Sequence, residues 1–136
     1  MSQLNARRPH LALVVDDEVE LLDVLKAVLT EEADFRVITA AEPELVVPLV
    51  EAAPPEVLLL DIGLPGRSGW EVLAALRQNP RFSKLPVLIV SAARDAGKRA
   101  VELNDPWVEF LAKPVDLDTL LERVEKLVQR RSKETE

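Results

Sequence analysis

The sequence has no cysteine, one histidine and one methionine among 136 residues. Without cysteine there is no disulfide framework, no thiolate metal centre and no cysteine nucleophile. One histidine cannot furnish a structural zinc site. That residue, His10, falls in a polar lead-in and reads as a solvated tail residue. Basic residues are outnumbered: 17 Lys and Arg face 24 Asp and Glu, for a net charge of −7 and a pI near 4.8. This is not the basic footprint of a nucleic-acid binder, and Arg7-Arg8 is only a short basic pair. No apolar run approaches the roughly 20 residues of a membrane span. The stretch Leu11–Val15 is too short for a signal-peptide core and runs directly into acids. There is no low-complexity segment and no fixed-period repeat. The expectation is one soluble, cytoplasmic domain with no direct nucleic-acid or membrane contact, long enough to bury a core unaided.

What the chain does have is alternation. Short apolar runs occur at Leu11–Val15, Phe35–Ile38, Val57–Leu60, Val87–Val90 and Trp107–Leu111. Three are almost wholly apolar, as in strands covered on both faces. Between them lie amphipathic stretches of helical period: Glu18–Ala33, Gly69–Asn79 (stopped by Pro80), the short polar Asp95–Leu103, and Asp116–Arg130. In the last, Leu117, Leu120, Leu121, Val124, Leu127 and Val128 form one stripe, with Asp116 placed as an N-cap. Glu42–Ala53 is the irregular member. Pro43 is tolerable near its start, but Pro48 falls mid-helix and predicts a kink or a short distorted helix. Strands alternating with helices predict an α/β domain with a five-stranded, doubly wound parallel sheet and helices on both faces. Ligands in such sheets bind at the carboxyl ends of the strands.

Those ends carry chemistry. Strand 1 runs into Asp16-Asp17, strand 3 into Asp61, strand 4 into Ser91 and strand 5 into Lys113-Pro114. Each has an ordinary explanation alone: a helix cap, a turn aspartate, an uninformative serine, a loop lysine. Their convergence on one rim does not. Three carboxylates about 4 Å apart repel by about 4 kcal/mol per pair at an effective dielectric near 20. A divalent cation or a raised pKa must relieve this. An all-oxygen donor set suits Mg²⁺, with Mn²⁺ and Ca²⁺ as alternatives. Mg²⁺ is commonly held by one or two carboxylates together with phosphate oxygens, so the cluster reads as a phosphoryl site whose other oxygens the lysine and the serine hydroxyl would meet.

With Val14-Val15-Asp16-Asp17-Glu18, the run Leu58 to Gly69, Val90-Ser91-Ala92 and Phe110-Leu111-Ala112-Lys113-Pro114 in order, the chain resembles a response-regulator receiver domain from about Pro9 to Val128. The resemblance implies the flavodoxin-like strand order 2-1-3-4-5. It implies a domain over 9–130 with flexible tails at 1–8 and 131–136. It implies that Asp61 is the phosphoacceptor for a histidine kinase or phosphotransfer protein. Metal ligation falls to Asp17 directly, Asp16 through water, Asp61, and the backbone carbonyl of Gly63. Ser91, the Ala92 backbone and Lys113 would bind the phosphoryl group. Ser91 and Phe110 would form the switch, and the Lys113-Pro114 bond would be cis. The surface of helix 4, strand 5 and helix 5 would then be read by a downstream protein or a fused output domain, or would pair two copies. The chain would be a signalling domain that phosphorylates and dephosphorylates itself, not a turnover enzyme.

Several residues depart from the family pattern. Phe110 lacks the hydroxyl of the tyrosine many relatives carry. Asn104-Asp105-Pro106-Trp107 replaces a small-residue turn. Trp107 is expected to pack against helix 4 or 5, the alternative being an exposed partner anchor. Trp70 is expected to pack near the site, and Gly63, Gly66 and Gly69 suggest a tight, mobile loop. Three other functions compete. An Asp-nucleophile phosphohydrolase needs a second acid two residues after Asp61, where Gly63 stands. A flavin binder needs a phosphate loop where this chain has three acids. A pseudo-receiver that never accepts phosphate usually shows a broken site.

Overall fold

The computed structural model describes residues 10–135. The tail expected over 1–8 lies outside them, as does Glu136. Five strands, β1 (His10–Val15), β2 (Phe35–Ala40), β3 (Val57–Leu60), β4 (Val87–Ser91) and β5 (Val108–Ala112), form one parallel sheet in the order β2-β1-β3-β4-β5. Five helices connect and follow them: α1 (Val19–Ala33), α2 (Val46–Ala52), α3 (Gly69–Arg77), α4 (Ala96–Glu102) and α5 (Leu117–Thr135).

The apolar runs became central strands because both of their faces are covered. Side chains alternate across a strand. Leu13, Val15, Leu58, Leu60, Val87 and Ile89 pack with α2 and α3 residues such as Val46, Val50, Val72 and Leu76. Ala12, Val14, Val57, Leu59, Leu88 and Val90 pack on the other face with Leu22, Leu25 and Leu29 of α1 and Leu120, Val124 and Leu127 of α5. The edge strands β2 and β5 are only partly buried. Each edge strand reaches further toward the strand-end rim than its apolar run indicates, β2 to Ala40 and β5 to Ala112.

The region around Pro48 forms the short distorted helix rather than the kink. A 3₁₀ turn, Pro43–Leu45, takes up its beginning, and α2 has only seven residues. Pro48 is the third of these. The first four helical N–H groups have no intrahelical partner, so a proline there forfeits no hydrogen bond. Two helices end on left-handed residues, Asp34 at φ 57° after α1 and Asn104 at φ 53° after α4. Asn and Asp tolerate that conformation better than most side chains.

Two expectations at the chain ends change. His10 is the first residue of β1, not a solvated tail residue. Its ring tilts against Phe35 with centroids 5.4 Å apart, and its Nδ1 lies 2.7 Å from Glu56 Oε1. Parallel pairing of His10 with Phe35 creates this contact, which the polar lead-in could not reveal. At the other end, α5 continues through 131–135, where a flexible tail was expected. Its last turns lean on Trp107: the guanidinium of Arg130 sits 4.1 Å and that of Arg131 5.9 Å from the ring centroid. Trp107 is thus buried against α5, and the exposed-anchor alternative fails.

Candidate functional site

Register brings the strand-end residues together. Val15 pairs with both Ala40 and Leu60, and the ladder continues one step beyond: Asp61 N–H donates to Val15 O, and Asp16 N–H to Ala40 O. On the other side Ser91 pairs with Ala112, and Lys113 N–H donates to Ser91 O. Asp16 and Asp61 therefore follow adjacent strands at one level of the sheet, while Ser91, the last residue of β4, stands one residue further along and Lys113 two. The Lys113-Pro114 peptide is cis.

Asp16 and Asp61 are buried and Asp17 is exposed, and one carboxylate oxygen of each lies within 4.8 Å of the others. Backbone donors fix the two buried acids. Glu18 N–H donates to Asp16 Oδ1 at 2.9 Å, and Gly63 N–H donates to Asp61 Oδ1 at 3.0 Å. The Lys113 ammonium completes the cluster, 2.8 Å from Asp16 Oδ2, 2.5 Å from Glu18 Oε1 and 3.4 Å from Asp61 Oδ2. Burial raises the Asp16 pKa above the ordinary aspartate value and the Asp61 charge adds to this; the hydrogen bonds from Lys113 and the Glu18 backbone oppose it without cancelling it. For Lys113, burial acts to lower the pKa, but its contacts with Asp16 and Glu18 and the Asp61 charge together raise it well above the ordinary lysine value. The ammonium is held charged among acids, one of which strains against ionisation.

One ammonium does not neutralise this acid cluster, and the donors are all oxygen. The set fits a hard divalent cation, which would supply positive charge for phosphoryl oxygens. Asp16, Asp17 and Asp61 are the side chains that could hold it. Ser91 is buried, and its hydroxyl accepts the Ala93 N–H at 3.1 Å. Phe110 is half-buried beside α4. Gly63 is exposed at the start of the loop between β3 and α3.

Two close fits hold that loop. Ser68 caps α3 by accepting from Trp70 N–H while Glu71 accepts from Ser68 N–H. Gly69 lies so near the backbone behind Asp61 that an added Cβ would sit 2.6 Å from Asp61 O and 2.8 Å from Ile62 Cα.

The profile of the response regulator receiver domain matches residues 12–125. This chain belongs to the response-regulator receiver family. Among curated relatives, the receiver is 34% identical over 120 residues to the transcriptional regulatory protein KdpE of Mycobacterium tuberculosis, covering 88% of this chain and 51% of that protein. It is 32% identical over 117 residues to the response regulator PleD of Caulobacter vibrioides, covering 86% of this chain and 26% of that one. The chain thus spans about half or less of the length of these relatives. Among solved structures, a CheY-like receiver domain protein from Methanospirillum hungatei superposes with a TM-score of 0.83 at 25% identity, covering 93% and 98% of the two chains. The receiver domain of Francisella response regulator 1452 gives 0.78 at 26% identity, covering 90% and 98%. The receiver is therefore a two-component signalling domain with the strand order 2-1-3-4-5.

Sequence reasoning assigned no role to Glu18, which contacts Lys113, although it is the third acid of the opening motif. It also missed the staple at the opposite end of the sheet. There Arg77 donates to Asp105, Phe82 O and Leu85 O, and Asp105 accepts the Trp107 N–H. The only sequence signal was a basic residue in the last turn of α3.

Proposed function

We propose that this receiver accepts a phosphoryl group on Asp61 from a histidine kinase or a histidine phosphotransfer protein. The observation that carries the reading is the buried Asp61 carboxylate, set among Asp16, Asp17 and one lysine and fixed from behind by Gly63 N–H. A carboxylate oxygen of Asp61 forms the new P–O bond as the donor's P–N bond breaks, and the departing imidazole takes a proton. Asp17 directly, Asp16 through water, Asp61 and the Gly63 carbonyl are the groups assigned to Mg²⁺, with Mn²⁺ or Ca²⁺ as substitutes. Lys113, the Ser91 hydroxyl and the Ala92 N–H are assigned to the phosphoryl oxygens. With glycine at position 63, no second acid stands ready to activate water, so the phosphoryl group persists as a signal.

The output follows from Ser91 and Phe110. Ser91 leaves the Ala93 N–H for the phosphoryl group, and Phe110 turns into the space it vacates. An open groove of about 770 Å³ between α4 and β5 is lined by Gly97, Val101, Val108 and Phe110, with Arg123 of α5 at its edge. This α4-β5-α5 surface is where a downstream protein, a fused output domain or a second receiver would read the change. Among the described residues no helix is long and apolar enough to cross a membrane.

The test is incubation with acetyl phosphate and Mg²⁺. The expected product is one base-labile phosphoryl adduct, absent without Mg²⁺ and absent from Asp61→Asn. Persistence in Asp61→Asn identifies a different acceptor. No adduct on the wild-type chain favours a non-phosphorylated interaction module.

A further inference from the structure

We propose that Glu18 is a positioning residue: it holds the Lys113 ammonium on the solvent side of the acid cluster, and so sets how readily the cluster accepts a divalent cation. This rests on the reading of the cluster as a metal and phosphoryl site.

Glu18 occupies the N-cap of α1, yet its side chain makes no capping hydrogen bond. Glutamate is not among the favoured N-cap residues, which are Ser, Thr, Asp and Asn. Helix capping therefore does not explain this residue. Its contacts do. The Glu18 carboxylate is the nearest of the three acids to Lys113 Nζ, at 2.5 Å, and Asp61 is the farthest, at 3.4 Å. Its backbone N–H meanwhile holds Asp16 Oδ1. One residue thus grips both members of the Lys113–Asp16 pair. The Lys113 side chain is only 12% exposed while that of Glu18 is 60% exposed, so Glu18 pulls the ammonium outward. An ammonium has three donors and no preferred plane, and it settles where the acids balance. Without Glu18 it stays on Asp16 and closes the longer gap to Asp61, onto an oxygen a cation needs.

The experiment is a double-mutant cycle with Glu18→Gln, Lys113→Met and the pair, read in two ways. Without metal, proton NMR should show a contact between the Lys113 ε-methylene and the Glu18 γ-methylene. In Glu18→Gln that contact weakens, and one from Lys113 to the Asp61 β-methylene strengthens. An absent Glu18 contact in the wild-type chain overturns the proposal. Mg²⁺ is then titrated and followed by the Gly63 amide signal. Glu18→Gln is expected to weaken affinity roughly twofold to fivefold, the range of a partly exposed ion pair. In the Lys113→Met background the same change should have little effect. Equal losses in both backgrounds mean that Glu18 acts through its charge alone and overturn the proposal, as does no loss in either. If Lys113→Met does not fold, Glu18→Asp replaces it, keeping the charge but losing the reach. An affinity as low as that of Glu18→Gln supports the proposal, and a wild-type affinity overturns it. Failure of the wild-type chain to bind Mg²⁺ overturns the metal reading and the cation half of this proposal; the NMR contact then reports separately on the holding of Lys113.

Discussion

Asp16 and Lys113 respond to burial in opposite directions, and the pH dependence of stability follows. The native pKa of Asp16 lies above its unfolded value of 3.8, chiefly through burial. The native state therefore binds that proton more tightly than the unfolded chain does. The ionised acid opposes folding at neutral pH, and this opposition fades as pH falls through the raised native value toward 3.8. Without metal, Asp16→Asn is expected to raise the melting temperature at neutral pH, with a gain that shrinks on acidification; thermal scans across that range check it. Lys113 is also raised, but as a base. Its stabilising contribution is full below the unfolded value of 10.5 and is lost only as pH rises through the native one. Lys113→Met leaves the carboxylates without their ammonium and should destabilise the metal-free chain by about 1–3 kcal/mol, the cost of unpairing buried polar partners. Added Mg²⁺ should restore much of that loss in denaturant titrations.

At the scale of elements, the loop between β3 and α3 and helix α4 differ in how firmly they are held. The loop is clamped by the Ser68–Glu71 capping box and by the close approach of Gly69 to Asp61 O. Gly69→Ala forces backbone to move, and overpacking of this kind costs about 1–3 kcal/mol. It should also shift the Asp61 amide signal and weaken Mg²⁺ binding, whereas Gly66→Ala, with open space around it but φ 87°, strains only the loop itself. Helix α4 contributes to the core only Ala96 and Ala100, while Val101 is 79% exposed. Small buried side chains anchor a helix weakly. Amide exchange should therefore be faster in α4 than in α1 or α3. Gly97 brings α4 close to Phe110: an added Cβ would stand 3.1 Å from two ring carbons.

For the whole molecule, a site assembled from the ends of four strands couples ligand binding to global stability. A cation bound only by the folded chain stabilises it by about 2.7 kcal/mol at a hundredfold excess over its dissociation constant. Mg²⁺ should thus raise the melting temperature of the wild-type chain and leave that of Asp61→Asn nearly unchanged, which calorimetry reads directly.

Much of this was legible in the chain itself, because the signals are local. Apolar runs such as Val57–Leu60 declare strands buried on both faces, and the stripe from Leu117 to Val128 declares α5. Acids, serine and lysine at the strand ends mark the candidate site once the rim rule of parallel sheets is applied. Where the local signal is ambiguous the outcome was open, as at Pro48, whose meaning depended on where α2 begins. The persistence of α5 past its apolar stripe, the burial of Trp107 beneath Arg130 and the pairing of His10 with Glu56 had no local signature. Nor did the grip of Glu18 on Lys113, two residues 95 positions apart. The sequence by itself determined which groups reach the carboxyl edge of the sheet. Only the tertiary structure decided which of them touch, because those distances are set by strand register and by the packing of both helical layers.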